Sequence, residues 1–512
     1  MLLESFLEAS ARRTPGKIAL VAGGRRFSYA EVDRLANRLA WRLIDRGVAR
    51  GQRVLVQLEN SPEAAMAIFG VLKAGAVLVM LNPAVKSAKL RAIAQDCGAV
   101  ALVTEAARLA SARDSLAGFG MPELLAAEEL VAEGSARHDE APPKRAIDLD
   151  LAALVYTSGS TGRPKGVMLT HANMAAAAAS IIQYLENTPE DVILNVLPLS
   201  FGYGLYQPLM AFKVGATLVL ERSFAYPAAV LRLIAKEKVT GMPMVPTMSA
   251  MLLQLDLAGF DFSSLRYVTN AGAALPASHA AGLRALLPRT RIYAMYGLAE
   301  CTRVAYLPPE ELGARPDSVG KAIPNVEAWV VDERGRRLGP QAVGELVVRG
   351  ANVMKGYWGM PEETDRVLRP GPYPWEKVLH TGDLFRTDES GYLYYVGRKD
   401  EMIKSRGEKV SPREVEEVLY GLAGVAEAAV IGVPDRILGH AVKAVIVVRQ
   451  GATLTEADVL RHCRARLEDF MVPKAVEFRA WLPKTDSGKV ARKMLAGEGR
   501  GDPRGNEMQE AA

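Results

Sequence analysis

Residues 28–103 alternate capped amphipathic helices with short unbroken apolar runs, and that rhythm admits few folds. Ser28 and Glu31 form a capping box, and Val32, Leu35, Ala36, Leu39 and Leu43 line one face of the helix that follows until Gly47 stops it. The run 54–58 reads as a buried strand, and Ser61 then caps a helix with Pro62 at its first position, ending near Gly75. Strand, helix and strand follow at 77–81, 88–97 and 100–103. Apolar strands that alternate with helices belong to parallel sheets covered on both faces. The segment 104–150 is Ala-rich and polar, ends in Pro142-Pro143, and reads as surface structure connecting two sub-domains. The rhythm resumes with strands expected at 192–197, 216–220, 239–245, 265–270 and 291–295.

From Val326 the pattern shifts to short β runs, VEAWVVD and then GELVVRG, which predict a small β-rich sub-domain. After a charged stretch at 398–404 come a helix at 412–421, strands at 428–433 and 441–448, a helix at 455–468 and a strand at 475–479. That is a separate α+β domain of ordinary size. The expected architecture is therefore α/β. A large N-terminal domain, 1–398, holds two βα-layered sub-domains and the β-rich one; a small α+β domain covers 399–496; the polar, Gly-rich 497–512 is a disordered tail. A chain of 512 residues is too long for one ordinary core, in keeping with this division.

Several function classes drop out. A net charge of +5 suits anionic small ligands, and no basic stripe interleaved with aromatics marks a nucleic-acid binder. Cys97, Cys301 and Cys463 are too far apart for a metal site or disulfide framework and point to a reducing, cytoplasmic setting. The first residues carry Glu4 and Glu8 and no apolar core of a signal peptide. Lys73 and glycines interrupt the apolar stretch 64–81, so no transmembrane segment is expected.

Chemistry concentrates in a few stretches. At 154–166, LVYTSGSTGRPKG, an apolar run meets a loop carrying Thr157, Ser158, Gly159, Ser160, Thr161, Gly162 and Lys165. Small residues, hydroxyls, free backbone N–H groups and a lysine make either a polyphosphate cradle or a flexible surface loop. It is not a Walker A loop, because Pro164 stands five residues after Gly159. Small residues after a strand at Ala271, Gly272 and Ala273 let a flat ring lie on backbone, or simply make a tight turn. Glu300, in YAMYGLAE, is a candidate Mg²⁺ ligand beside phosphates, since Mg²⁺ takes few protein carboxylates. HTGD at 380–383, the charge-dense GRKDEMIKSRG at 397–407 and LPKTDSGK at 482–489 complete the set.

Taken in order, TSGSTGRPKG, YGLAE, GELVVRG with GYW and PEET, HTGD, GRKDEMIKSRGEKVSPREVEEVL and LPKTDSGK resemble the acyl-adenylate-forming (AMP-forming) synthetases, most like acyl-CoA and aryl-CoA ligases. The resemblance runs from about residue 5 to residue 495. It implies a large domain hinged to a small mobile one, and two half-reactions: a carboxylate attacks the α-phosphate of ATP, releasing pyrophosphate, and the thiol of coenzyme A then displaces AMP. It implies that Thr157 to Lys165 hold the β- and γ-phosphates and that Thr161 and Glu300 position Mg²⁺. Ala271, Gly272, Ala273 and Tyr296 would surround the adenine, Asp383 with Arg398 the ribose, and Gly297 would also belong to the ATP site. Lys489 would bridge substrate carboxylate and α-phosphate, and rotation at the hinge, Asp400, would exchange it for Lys404 and the Gly407 loop, admitting the thiol. The acyl pocket would be walled by Phe201, Tyr203, Gly204, Met244, Val245, Met248 and Met295, an apolar, Met-rich set suited to fatty or aryl acids.

Two positions depart from the family pattern. Ala299 stands where the family usually has Thr, removing a hydroxyl from the α-phosphate. Phe201 stands where many CoA ligases place His, and Gly202 where amino-acid-activating domains place Asp. Without that carboxylate an α-ammonium would be unpaired in a dry pocket, so the substrate is not an α-amino acid. An acyl-AMP ligase that loads an acyl carrier protein is the nearest alternative; an oxygenase acting on its own adenylate and a non-catalytic adenylate sensor are more distant ones. The implied cofactors and partners are ATP, Mg²⁺, coenzyme A and a small carboxylic acid.

Overall fold

A computed structural model describes residues 1–118, 123–131, 136–158, 164–405, 408–435, 439–485 and 489–497. The local sequence signals hold where they are strongest. Ser28 and Glu31 close a reciprocal capping box on the helix Tyr29–Asp45, and the Ser61 hydroxyl accepts from the Ala64 amide at the start of Pro62–Lys73. That second helix is buried on almost every side, because it lies between the two main sheets and shares one core with Tyr29–Asp45.

The first sheet has Arg53–Gln57 at its centre, with Val77–Leu81 and Ala99–Thr104 parallel on either side. Its far edge is Glu123–Ala126, parallel to Ala99–Thr104. The reading of 104–150 as surface structure is thus corrected: the segment supplies an edge strand. Four residues, ELLA, carry too little periodicity to mark a strand without a neighbour to pair with.

The second sheet runs parallel through Arg291–Tyr296, Tyr267–Asn270, Gly241–Met244, Val192–Asn195 and Thr217–Leu220. Its outer parallel neighbour is Ile18–Ala22, from the beginning of the chain. At the other edge Ala305–Leu307 and Ser318–Ala322 join it antiparallel to Leu393–Arg398, Lys377–Thr387, Gly344–Gly350 and Val326–Val331. The β-rich region therefore extends this sheet rather than standing apart from it.

The small C-terminal unit packs Pro412–Tyr420 and Glu456–Arg464 on a sheet built from Val425–Asp435, Gly439–Val448 and Ala475–Arg479. Val415, Leu419, Val430, Ile446, Val459 and Cys463 form its own core. Its contacts with the large unit include hydrogen bonds to backbone and the Tyr420 ring against His279. The Arg413 guanidinium donates to the Tyr395 carbonyl at 2.9 Å, and the Ser411 hydroxyl to the Val396 carbonyl. No helix among the described residues is long and apolar enough to cross a membrane.

Candidate active site

The sheet topology creates the crevice. Val192–Asn195 and Gly241–Met244 are parallel neighbours, yet the chain leaves the first toward Thr217–Leu220 and the second toward Tyr267–Asn270, in opposite directions. Ligands bind at such reversals, beyond the carboxyl ends of the strands. The singled-out residues fall there in sequence order. Phe201, Tyr203 and Gly204 follow the first strand, Met244, Val245 and Met248 end or follow the second, Ala271 to Ala273 follow the third, and Met295, Tyr296, Gly297 and Glu300 end or follow the fourth.

Gly272 has a φ of 88°, and a Cβ there would meet only Val245 Cγ1 at 3.6 Å, so the turn keeps its backbone open on that side. Gly297 has the opposite reason for being glycine: a Cβ would lie 2.2 Å from the Thr302 carbonyl oxygen.

Asp383 is the polar centre of the crevice. It is 5 % exposed. The Tyr296 hydroxyl donates to its Oδ2 at 2.5 Å and the Arg398 guanidinium to its Oδ1 at 3.0 Å. Asp383 and Arg398 are direct cross-strand partners, which is why 15 residues of separation end in one ion pair. Burial pushes the Asp383 pKa up, opposed by Arg398, by the Tyr296 hydroxyl and by Lys489. Arg398 also donates through Nε to Asp400 at 3.0 Å, tying the expected hinge residue to the same cluster.

The strands on either side of the Gly/Ser/Thr stretch, Leu151–Ser158 and Pro164–Thr170, pair antiparallel, with Thr157 opposite Lys165. Gly159, Ser160, Thr161 and Gly162 lie outside the described residues, as does Gly407. Lys165 donates to Glu363 at 2.7 Å and stands 5.2 Å from the Tyr357 ring. The short strand Gly356–Tyr357 pairs with Pro164–Thr170, and the Tyr357 hydroxyl donates to Glu300 Oε1 at 2.7 Å. The Met354 amide donates to the Glu300 carbonyl at 2.8 Å. Thus the MKGYW and PEET stretches stitch Glu300 to the strand that carries Lys165. Burial, followed by the Glu300 charge, raises the Tyr357 pKa, so this bond keeps a phenol donor.

Lys489 reaches the crevice from the small unit, on a turn closed by the bridge between Lys484 and Val490 and by the Thr485 amide donating to the Lys489 carbonyl at 2.7 Å. Its side chain keeps contact with solvent in the open crevice, while the walls around it lower its pKa by desolvation. Asp383 opposes that shift, Arg398 adds to it, and Glu300 and Glu401 oppose it further. Lys404 lies on the strand Ile403–Ser405, opposite Lys409.

Of the expected acyl wall, Tyr203, Met244, Met248 and Met295 are buried or nearly so. The Tyr203 hydroxyl shares a 2.5 Å hydrogen bond with Thr269 Oγ1, and burial raises its pKa to about 12. Gly204 instead packs against backbone: a Cβ there would sit 2.2 Å from the Pro198 carbonyl oxygen. Residues not singled out in the sequence also enter the site, namely Tyr357, Glu363 and Arg303. A tyrosine in GYW or an arginine after YGLAEC is chemically unremarkable until the fold puts it beside a carboxylate or a cavity.

The profile of the AMP-binding enzyme family matches residues 7–358, and that of the AMP-binding enzyme C-terminal domain matches 414–489. The chain belongs to the AMP-binding enzyme family. It is 36 % identical to a feruloyl-CoA synthase from an Amycolatopsis species, over 96 % of this chain and 97 % of that one. It is 32 % identical to a long-chain-fatty-acid–CoA ligase of Bacillus subtilis, over 97 % of this chain and 94 % of the other. ATP-bound MatB from Rhodopseudomonas palustris superposes with a TM-score of 0.88 at 32 % identity, covering 97 % of this chain and 99 % of that one. As an AMP-forming member of the family, the protein is an acid–thiol ligase: it activates a carboxylic acid with ATP and transfers the acyl group to coenzyme A.

Proposed function

We propose that the substrate is a fatty or aryl acid, that it is activated at the switch-point crevice, and that Lys489 and Lys404 serve the two half-reactions in turn. The observation that carries this reading is the meeting of Lys489, from the small unit, with Asp383, Arg398 and Glu300 of the large one. In the first half-reaction Lys489 sits between two anions, the substrate carboxylate and the α-phosphate, and lowers the cost of bringing them together. Thr157, Ser158, Gly159, Ser160, Thr161, Gly162 and Lys165 hold the departing β- and γ-phosphates. Lys165 must then share its ammonium between Glu363 and phosphate.

Ala271, Gly272, Ala273, Tyr296 and Gly297 receive the adenine. Asp383 receives the ribose hydroxyls, since each of its oxygens accepts one hydrogen bond from protein and has a second lone pair to offer. Tyr357 uses Oε1 of Glu300, which fits a Mg²⁺ ion held by that carboxylate, by Thr161 and by phosphate oxygens. Bound there, the ion would neutralise charge on the phosphates.

For the second half-reaction the junction at Asp400 turns, with 1–398 on one side and 399–496 on the other. Lys489 leaves and Lys404, with Gly407, takes its place, opening a path for the thiol. The three cysteines, all free and buried, suit a reducing cytoplasm. An α-amino acid is disfavoured because Gly202 offers no carboxylate to its ammonium.

The test is exchange of labelled pyrophosphate into ATP over a panel of fatty, aryl and amino acids, followed by product analysis with coenzyme A and with phosphopantetheinylated carrier proteins. Exchange supported only by amino acids, or acyl transfer only to carriers, would overturn the reading.

A further inference from the structure

Glu345, in the GELVVRG strand, acts one residue away from Asp383. Glu345 pairs with Leu384 and Val347 with His380, so Thr381, Gly382 and Asp383 bulge from their strand opposite the single residue Leu346. Bulges re-aim side chains beside active sites, and here Asp383 meets Tyr296 and Arg398. The bulge is held from both neighbouring strands. The Thr381 hydroxyl donates to the Leu346 carbonyl at 2.8 Å and accepts from the Asp383 amide at 3.1 Å. Gly382 has a φ of 72°, in the left-handed region that favours glycine. Its amide donates to Glu345 Oε1 at 3.0 Å, and its carbonyl accepts from the Lys399 amide at 2.9 Å.

The Glu345 side chain is 11 % exposed. Its Oε2 lies 3.5 Å from His380 Nδ1 and 3.6 Å from Lys399 Nζ. Burial pushes its pKa up, but His380, the Gly382 amide and Lys399 outweigh that and bring it down to about 2, so the carboxylate is ionised near neutral pH. The Lys399 side chain is 54 % exposed, and water screens its ion pair. The bond from the Gly382 amide to a shielded charge is the stronger contact. Tyr296 and Arg398 restrain the Asp383 carboxylate, but flexible side chains can follow a shift of the backbone beneath it. The Glu345 bond acts on that backbone itself.

We propose that Glu345 is a positioning residue of the nucleotide site: it holds the Gly382 peptide and thereby sets the Asp383 carboxylate against the ribose. The inference rests on the assignment of Asp383 to the ribose hydroxyls above, and it gives the GELVVRG strand a part in nucleotide selection. A misplacement of about 1 Å in a preorganised site can cost on the order of 10²-fold in rate.

The experiment measures pyrophosphate release by the full chain with Mg²⁺, the acid best used in the panel above, and ATP, 2′-deoxy-ATP or 3′-deoxy-ATP in turn. Wild type is expected to prefer ATP over at least one deoxy analogue by on the order of 10²-fold or more in kcat/KM, the scale on which a site built for a hydroxyl rejects the analogue lacking it. Glu345→Ala removes the acceptor and Glu345→Asp falls a methylene short of the Gly382 amide. Each should lower that preference about tenfold, the worth of one hydrogen bond to a charged group. Glu345→Gln keeps an acceptor oxygen at the same reach and should retain most of the preference. Damage to the fold alone slows all three nucleotides alike and leaves the ratio in place. Thermal unfolding checks that each variant is folded; if the Ala variant is not, the Asp variant decides. A ratio unchanged in the Ala and Asp variants, or lowered as far by Gln as by these, overturns the inference alone. A wild type that prefers ATP over neither analogue overturns the ribose assignment of Asp383 and this inference together.

Discussion

Replacing Lys489 by alanine should separate the two half-reactions. The ammonium faces Asp383 and Glu300 across the crevice, with Arg398 beside them, and bound substrates add a carboxylate and phosphate oxygens to the same space. At about 4 Å and an effective dielectric constant of about 20, one cation–anion contact is worth about 4 kcal/mol. The crevice keeps Lys489 partly in solvent, so some of this is screened. A loss of about 3–4 kcal/mol corresponds to on the order of 10²–10³-fold in the rate of adenylate formation, the range found for single preorganised donors in other enzymes. Pyrophosphate exchange reads that step, and acyl-CoA formation from supplied acyl-adenylate reads the other, which should change little. Equal losses in both assays, or none in either, would refute two alternating lysines.

The same geometry sets a pH limb. In the proposed mechanism adenylation needs the protonated ammonium, and desolvation holds the Lys489 pKa below the ordinary lysine value of 10.5. Exchange should therefore decline as pH rises through that lowered value. The limb should vanish in Lys489→Ala.

Lys404→Ala, or a bulky side chain at Gly407, is expected to do the reverse: near-normal pyrophosphate exchange and slow transfer from supplied adenylate. Ala299→Thr restores the hydroxyl usual in the family at a partly buried position and should raise, or at least not lower, the exchange rate; a large fall would mean that the loop is tuned around alanine. Gly297→Ala places a Cβ 2.2 Å from the Thr302 carbonyl oxygen, so the turn carrying Glu300 and Arg303 must shift. Overpacking of this kind costs about 1–3 kcal/mol, which denaturant titration would register as a lowered midpoint.

Much of the fold was legible because its signals are local. The Ser28–Glu31 capping box and the Ala64 amide donating to the Ser61 hydroxyl, with Pro62 at the first helical position, fix helix starts within four residues, and the apolar runs at 54–58 and 77–81 are too continuous for a half-exposed strand. Signals that depend on a distant partner were not legible. Ile18–Ala22 is a strand because Thr217–Leu220 lies beside it, and Glu123–Ala126 because Ala99–Thr104 does. Likewise the sequence marks Asp383 and Arg398 as charged residues in ordered motifs, but not their ion pair, which needs the antiparallel register between two strands.

The sequence by itself determined the chemistry class, because phosphate, metal and thiol chemistry each demand particular residue types, and those residues recur in one fixed order along this chain. The tertiary structure decided which groups share a field. It joined Tyr357 to Glu300, 57 positions apart in the chain, and brought Lys489 beside Asp383. It also turned Arg303 inward against the Tyr203 ring. Charge, burial and distance act through space, so residues that are unrelated in a string of letters come to share one ion pair or hydrogen bond once the strands around them are paired.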